Sequence, residues 1–335
     1  MNAVFKNAKW IWSGQDNPDT YVDFLIEYNY AGGEVVLNLS CDHNYAIYVN
    51  GVLSAFGQYP DFPHYKIAER ENLTEFLKAG SNEIIITAYH QGGSASTYYT
   101  SSSGAIFSLY VDGKEVAFSS ESTKSRLNLN YKNGYCKLIT GQLGYSFLYD
   151  ATVSPREFST SVLVDKEKNF VKRPVKKLVL QGRAQANKVS SDILDFAAET
   201  VGFLDVDFYS DCEQKITFSY AEHLTDGDVR RILGPRDFSV EYVAKKGVNK
   251  YVNPFLRLGC RYLKIQSEKP IDVNYIGLNK VSYPFDEKKE LKLCEDLQKI
   301  YQVSKYTLKM CALDHYEDNP WREQSMYDLD SRNQM

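Results

Sequence analysis

The sequence predicts a mainly β protein: two tandem, jelly-roll-like β-sandwich domains over residues 1–155 and 172–284, joined by a linker at 156–171, then the beginning of a helical domain over 285–335. Three observations predict it. Short runs rich in Val, Ile, Tyr and Phe alternate at period two through the first 284 residues, separated by glycine-bearing turns. At Tyr283-Pro284-Phe285-Asp286 the period changes to three- and four-residue steps. Between the strand-rich blocks, Pro155 to Pro174 is charged and polar, as in Asp165-Lys166-Glu167-Lys168, the composition of a linker. A length of 335 residues accommodates two or three domains, because single cores rarely grow past about 250–300 residues.

In the first block, Val35–Ser40 and Tyr45–Val49 are β-rich, and the second closes on Asn50-Gly51, the signal of a type I′ hairpin. Glu83–Tyr89 and Ala105–Val111 follow, the latter turning at Asp112-Gly113; a short helix is expected at Leu73–Lys78, ended by Ala79-Gly80. In the second block, Lys177–Leu180, Gly202–Phe208, Lys215–Tyr220 and Arg261–Ile265 alternate at period two. Strands this short and evenly spaced indicate sandwiches or jelly rolls. Beyond Asp286, the positions Leu291, Cys294, Leu297, Ile300, Tyr301, Ser304, Leu308 and Cys311 make one face of a helix, with a kink or break expected near Ser304. Asp286 can cap it, although Lys289 at the third position following does not complete a capping box. Such a face requires partners.

Composition narrows the function. The hydrophobic and charged fractions, 43% and 24%, are those of an ordinary globular chain. The formal net charge of −4 supplies no basic field, which disfavours nucleic acid or an anionic membrane as partner. No apolar run approaches the length of a membrane span, and the N-terminus reads as neither a leader nor an anchor, so a cytoplasmic location is expected. The six cysteines (41, 136, 212, 260, 294, 311) lie far apart without a CxxC pair, which favours reduced thiols and argues against zinc. No phosphate-cradling glycine pattern precedes a helix and no Gly-x-Ser-x-Gly elbow occurs; neither cofactor nor metal is expected. The 26 Tyr and 17 Phe suit carbohydrate contact and sandwich cores equally. Self-association into a homo-oligomer is compatible with all of this.

Chemistry concentrates in the last eighteen residues, Asp318 to Met335, which carry Asp318, Glu323, Asp328, Asp330, Arg322, Trp321 and Tyr327. Glycoside hydrolysis needs a protonated carboxyl near the leaving oxygen and a second carboxylate that activates water or attacks the sugar. Pro320 between Asp318 and Glu323 suits entry into a helix, and the seven residues from Glu323 to Asp330 would put both acids on one helical face. Clustered acids raise one another's pKa, and Arg322 could neutralise one of them. On spacing alone the same residues also suit a solvated acidic turn that favours the helix dipole.

Set in the whole chain, this stretch resembles the start of the catalytic domain in bacterial α-L-rhamnosidases of the glycoside hydrolase 78 type. There a motif of the form Asp-Cys-Pro-x-Arg-Glu, followed by a further Asp, opens the active site of an (α/α)6, six-hairpin barrel. The matching residues are Asp318, Pro320, Arg322, Glu323 and Asp330. Further resemblances occur in the family's order: Cys41–Gly51 to the hairpin of its N-terminal, galactose-binding-like sandwich, Tyr149-Asp150-Ala151 to that sandwich's exit, Asp195–Gly202 to the opening of the next, then Tyr220–Leu224, Asp226-Gly227, Pro254-Phe255 and Gly259–Leu263. The resemblance implies an inverting exo-glycosidase that removes terminal α-L-rhamnose, with Glu323 as general acid. It also implies Asp318, Trp321, Arg322, Tyr327 and Asp330 at the substrate, Trp321 packing beside the sugar. Asn319 replaces the family's usual Cys, and Gln324–Leu329 replaces its Arg-x-Gly-Trp-x-Gly run, with Tyr327 standing in for the Trp; by the resemblance these changes line the sugar pocket and admit a related deoxy- or ordinary hexose besides rhamnose. The family's general base, a Glu, comes from far downstream, so the chain read alone is expected to be a truncated and inactive front portion. The runner-up reading is a non-catalytic carbohydrate-binding sandwich protein.

Elsewhere, Glu222-His223 reads as a strand-end pair satisfied by local hydrogen bonds, and His64, His90 and His315 lack ligand-spaced partners. Trp10 and Trp12 share a strand face, suited to packing. The small-residue loops 92–96 and 101–104 bracket Tyr98-Tyr99 and could border a sugar groove.

Overall fold

A computed structural model describes residues 4–14, 16–134, 136–166, 169–287 and 291–334. Glu167, Lys168, Lys289 and Met335 lie outside the described residues. With 52% of the chain in strands and 8% helical, the protein is mainly β, as its sequence predicts. It divides into two compact units, Met1–Lys137 with Phe147–Pro174 and Leu138–Ser146 with Val175–Met335.

The first unit is built from β1 (Ile11–Trp12), β2 (Thr20–Tyr30), β3 (Val35–Cys41), β4 (Asn44–Val49), β5 (Val52–Gly57), β6 (Lys66–Asn72), β7 (Gly80–His90), β8 (Ala105–Val111), β9 (Lys114–Phe118) and β10 (Lys124–Leu127). The short hairpin β11 (Leu138–Thr140) and β12 (Gly144–Tyr145) belongs to the second unit. The chain then returns to the first with β13 (Leu148–Asp150), β14 (Ser159–Thr160), β15 (Val162–Leu163) and β16 (Phe170–Lys172). One sheet runs β15-β1-β8-β3-β6-β16 with β9 on β8; the other runs β14-β10-β2-β7-β4-β5. A single apolar core draws on both: Ile11, Trp12, Leu37, Leu39 and Phe107 from the first, Val22, Phe24, Ile47, Ile84 and Ile86 from the second. Alternation at period two is what lets each sheet turn one row of side chains toward that core. Asn50 and Gly51 both take positive φ, 51° and 79°, as the type I′ turn between β4 and β5 demands. The expected helix at Leu73–Lys78 is a single 3-10 turn, Thr74–Phe76.

The segment expected to link the domains, 156–171, is instead part of the first unit. β14 pairs with β10, β15 with β1, and β16 runs parallel to β6. Its charge is used internally: Lys166 is buried and its Nζ lies 2.8 Å from the Asp42 carboxylate. Asp42 also bonds His90 Nδ1 at 2.7 Å and accepts from Tyr98 OH at 2.6 Å; against the penalty of burial, His90, Lys166 and Lys66 hold its carboxyl down at about 2.

The second unit adds β17 (Val179–Arg183), β18 (Asn187–Lys188), β19 (Ile193–Ser210), β20 (Gln214–Ala221), β21 (Leu224–Thr225), β22 (Asp228–Val229), β23 (Ile232–Leu233), β24 (Arg236–Asp237), β25 (Ser239–Ala244), β26 (Gly247–Ser267) and β27 (Asp272–Ser282). Its main sheet is continuous, in the order β25-β20-β26-β19-β27-β17 with β18 on β19, where the sequence suggests two sheets face to face. The register shifts along β19 between Asp195 and Thr200 and again between Phe203 and Asp205, and such bulges bend strands. The bend is large. Three strand steps separate β19 from β25, about 14 Å in a flat sheet, yet the rings of Phe208 and Tyr242 on those strands are 5.9 Å apart. The curled sheet encloses its own core, including Ile216, Phe218, Tyr220, Phe238, Val240, Leu258 and Leu278.

Two helices follow, α1 (Glu295–Met310) and α2 (Asp328–Gln334). α1 passes through Ser304 without interruption, where a kink was expected. Lys305 and Lys309 on α1 both pair with Glu287. Among the described residues no helix is long and apolar enough to cross a membrane. All six cysteines are unpaired.

Candidate functional site

The acidic motif forms a closed loop in the second unit between α1 and α2, and local chemistry explains its shape. The α1 helix stops where Cys311 N still bonds Thr307 O, and Glu317 N then returns to Cys311 O at 2.8 Å. Asn319 Oδ1 accepts from Arg322 N at 2.7 Å, an Asx-type turn that sets Pro320 and Trp321 at the tip. Gln324 takes a positive φ of 49°, which ends the turn and prevents a helix there. Its amide is turned inward, donating to Pro320 O and Arg257 O at 2.8 and 3.3 Å. Asp318 closes the loop: its N donates to Ser325 O and its Oδ1 accepts from Ser325 N, both at 2.9 Å.

The loop lies against β26 at Gly259. A Cβ there would come within 2.2 Å of Pro320 O, so only glycine permits the approach. Beneath it Arg257 pairs with the fully buried Glu317, whose carboxyl burial pushes up to about 7 against the pull of the guanidinium. Trp321 is 1% exposed, with its ring 4.7 Å from Phe238 and 5.7 Å from His223. Its indole therefore packs into the core and turns no face to a sugar. Arg322 extends over the Trp321 ring, and its charge opposes the burial that raises the Glu222 carboxyl. Close by, Glu199 is pushed up to about 8 by burial and by the charge of Glu222.

Glu323 points away from that packed side. Its side chain is 21% exposed, and its Oε2 accepts from Tyr327 OH at 2.8 Å and from Gln142 Nε2 at 3.1 Å. Its Oε1 is 3.7 Å from Arg236 Nη2. The helix expected to carry Glu323 and Asp330 on one face begins only at Asp328, so the two acids sit on different elements, and Asp330 stands exposed on α2. The structure thus brings together Glu323 and Tyr327 and folds Asp318, Trp321 and Arg322 into the same loop. His315 also joins it through Gln324 O, 3.3 Å from Nε2.

Gln142, Arg236, Arg257 and Glu317 had no signal in the sequence pointing to the motif, since their proximity comes from the sheet's curl and from hairpins distant in sequence. Glu222, expected to pair locally with His223, feels the charges of Arg322 and Asp318 of the motif loop as well as that of His223. Among the described residues no three His, Cys, Asp or Glu side chains converge as metal ligands do. A carboxyl set among a tyrosine hydroxyl, an amide and a guanidinium at a partly open surface can exchange a proton with a bound hydroxyl or ether oxygen.

No family model and no curated protein matches the chain. Solved structures do. A glycoside hydrolase 78 family rhamnosidase of Bacillus sp. GL1 superimposes with a TM-score of 0.84 at 14% identity over 98% of this chain. An α-L-rhamnosidase from Aspergillus terreus gives 0.76 at 17% over 96%, and that of Streptomyces avermitilis, complexed with L-rhamnose, 0.71 at 16% over 92%. The chain spans 61%, 41% and 33% of those three chains. At such identities the likeness establishes a shared fold across nearly all of this chain.

Proposed function

We propose that this chain, on the fold it shares with glycoside hydrolase 78 rhamnosidases, is the part of an inverting exo-glycosidase that carries the general acid, Glu323, for releasing terminal α-L-rhamnosyl residues. One observation carries the reading. Within the motif loop Asp318 is occupied with the backbone and Trp321 with the core, whereas the Glu323 carboxyl stands partly open among hydrogen-bonding side chains. Glu323 would protonate the departing glycosidic oxygen while a second carboxylate, about 6.5–9.5 Å away, draws a proton from the attacking water. Tyr327, Arg322 and Asp330 are proposed to contact substrate hydroxyls, and Asp318 and Trp321 to hold the loop in place. By the resemblance the general base lies outside these 335 residues, so the chain alone is proposed to be inactive. The unpaired cysteines support a reducing, cytoplasmic setting. In the complete product of the gene, Glu323→Gln should slow hydrolysis of a rhamnosyl disaccharide about 10²–10⁴-fold. Unchanged turnover would remove Glu323 from the chemistry.

A second reading, a carbohydrate-binding surface on the first unit, has its own support. Tyr99 is 56% exposed and its ring lies 4.8 Å from that of exposed Phe62, with the hydroxyls of Ser94 and Thr100 alongside. Aromatic faces with a polar rim suit sugar rings. Calorimetric titration of the chain with L-rhamnose, galactose and rhamnogalacturonan oligomers tests it: saturable heat lost in Tyr99→Ala supports the surface, and no heat rejects it.

A further inference from the structure

We infer that Arg236 and Gln142 are positioning residues for Glu323, a bridge that fixes the direction in which its carboxyl faces substrate; this rests on the reading of Glu323 as the general acid. The four groups form a closed set. Gln142 Nε2 donates to Glu323 Oε2 at 3.1 Å and to Tyr327 OH at 3.2 Å. Gln142 Oε1 accepts from Arg236 Nη2 at 3.3 Å, and the same guanidinium nitrogen lies 3.7 Å from Glu323 Oε1. Each carboxyl oxygen therefore has its own partner, and rotation about the last side-chain bond would lose contacts on both sides.

The two residues come from rigid supports. Arg236 sits in the β23–β24 hairpin, where neighbouring Asp237 is clamped by Arg231 at 2.6 and 2.7 Å and accepts from Ser239 Oγ at 2.9 Å. Arg231 is thus occupied by Asp237, which leaves Arg236 as the guanidinium directed at Glu323. Gln142 sits at the tip of the β11–β12 hairpin, whose turn is tied by Gln142 N and Leu143 N, both donating to Thr140 Oγ1 at 3.1 and 2.9 Å. That hairpin is anchored by fully buried Ile139 and by Ser146 Oγ, which donates to Ser239 O at 2.7 Å. Two separate anchors on the 239 region, one from each hairpin, make the spacing between Gln142 and Arg236 a property of the unit rather than of a loop.

Two experiments separate the positioning claim from the acid claim. In the 335-residue chain, the side-chain amide resonances of Gln142 report its bonds directly. They should move by several tenths of a ppm in Glu323→Gln and in Arg236→Met, with the rest of the spectrum retained; resonances that stay put would overturn the bridge. In the complete gene product, Gln142→Ala and Arg236→Met should each lower kcat on a rhamnosyl disaccharide about tenfold, or about 1.4 kcal/mol, with KM within about twofold and an unchanged thermal midpoint. Arg236→Lys should recover part of the loss. Equal kcat in both variants, or a loss confined to KM, would overturn positioning even with the amide shifts present. If Glu323→Gln keeps full turnover while the amide shifts appear, the bridge stands and the catalytic role falls.

Discussion

Glu199 has an affinity for its proton that folding raises, and the consequence can be read as stability against pH. Its carboxyl is held at about 8 by burial and by the charge of Glu222, against an ordinary value of 4.5, while Arg257 partly offsets both. The folded chain therefore binds a proton that the unfolded chain releases. That contribution is complete below the ordinary value and is lost as pH climbs through about 8. Glu199→Gln should flatten the fall of the thermal midpoint between about pH 5 and pH 9; a parallel curve would place the proton elsewhere. Glu317 is raised by burial as well, to about 7, but it is also tied directly to a buried guanidinium, that of Arg257. Removing one partner by Arg257→Met should cost about 3–5 kcal/mol in urea unfolding, whereas adding Glu317→Leu to it should restore most of the loss. A double variant no better than the single would mean that Glu317 has other support.

At the scale of elements, the motif loop depends on a missing methyl group. Gly259→Ala would set a Cβ 2.2 Å from Pro320 O, and the loop must lift or β26 must shift, at about 1–3 kcal/mol. The expected signature is a lowered midpoint together with red-shifted emission from Trp321 as Phe238 and the indole part; a native spectrum would show that the loop is not seated there. The strands were legible because burial on one face imposes period two, and the β4–β5 turn because Asn50-Gly51 accepts two positive φ values at little cost. The β14, β15 and β16 pieces were not legible. They are two or three residues long, too short for a period to register, and the charge between β15 and β16 serves a partner more than a hundred positions away, Lys166 serving Asp42. The helix expected across Glu323 failed because Gln324 uses its amide on Arg257 O, 67 positions away, as well as on Pro320 O, a fixture of tertiary origin that no spacing rule detects.

For the molecule as a whole, the second unit carries an uncovered apolar stripe. Leu297, Ile300 and Val303 on α1 are exposed, Val303 to 67%, as are Met326 and Leu329 beyond the motif. Contiguous apolar surface of this kind binds hydrophobic dyes and promotes association. Ile300→Lys with Val303→Lys should abolish dye binding and concentration-dependent sedimentation while leaving the midpoint unchanged; persistence of both would locate the sticky surface elsewhere. The three- and four-residue steps announced Leu297 and Ile300 of this stripe but not Val303, and composition announced the acidic motif, but nothing in the sequence signalled that residues 138–146 reside in the second unit while both flanks belong to the first. That excursion bears on how such genes can be shuffled. A single crossover at the codon for Val175 would join one parent's hairpin to another parent's Glu323, so recombinants inherit the acid and its amide neighbour from different lineages unless a second exchange carries the nine intervening codons along.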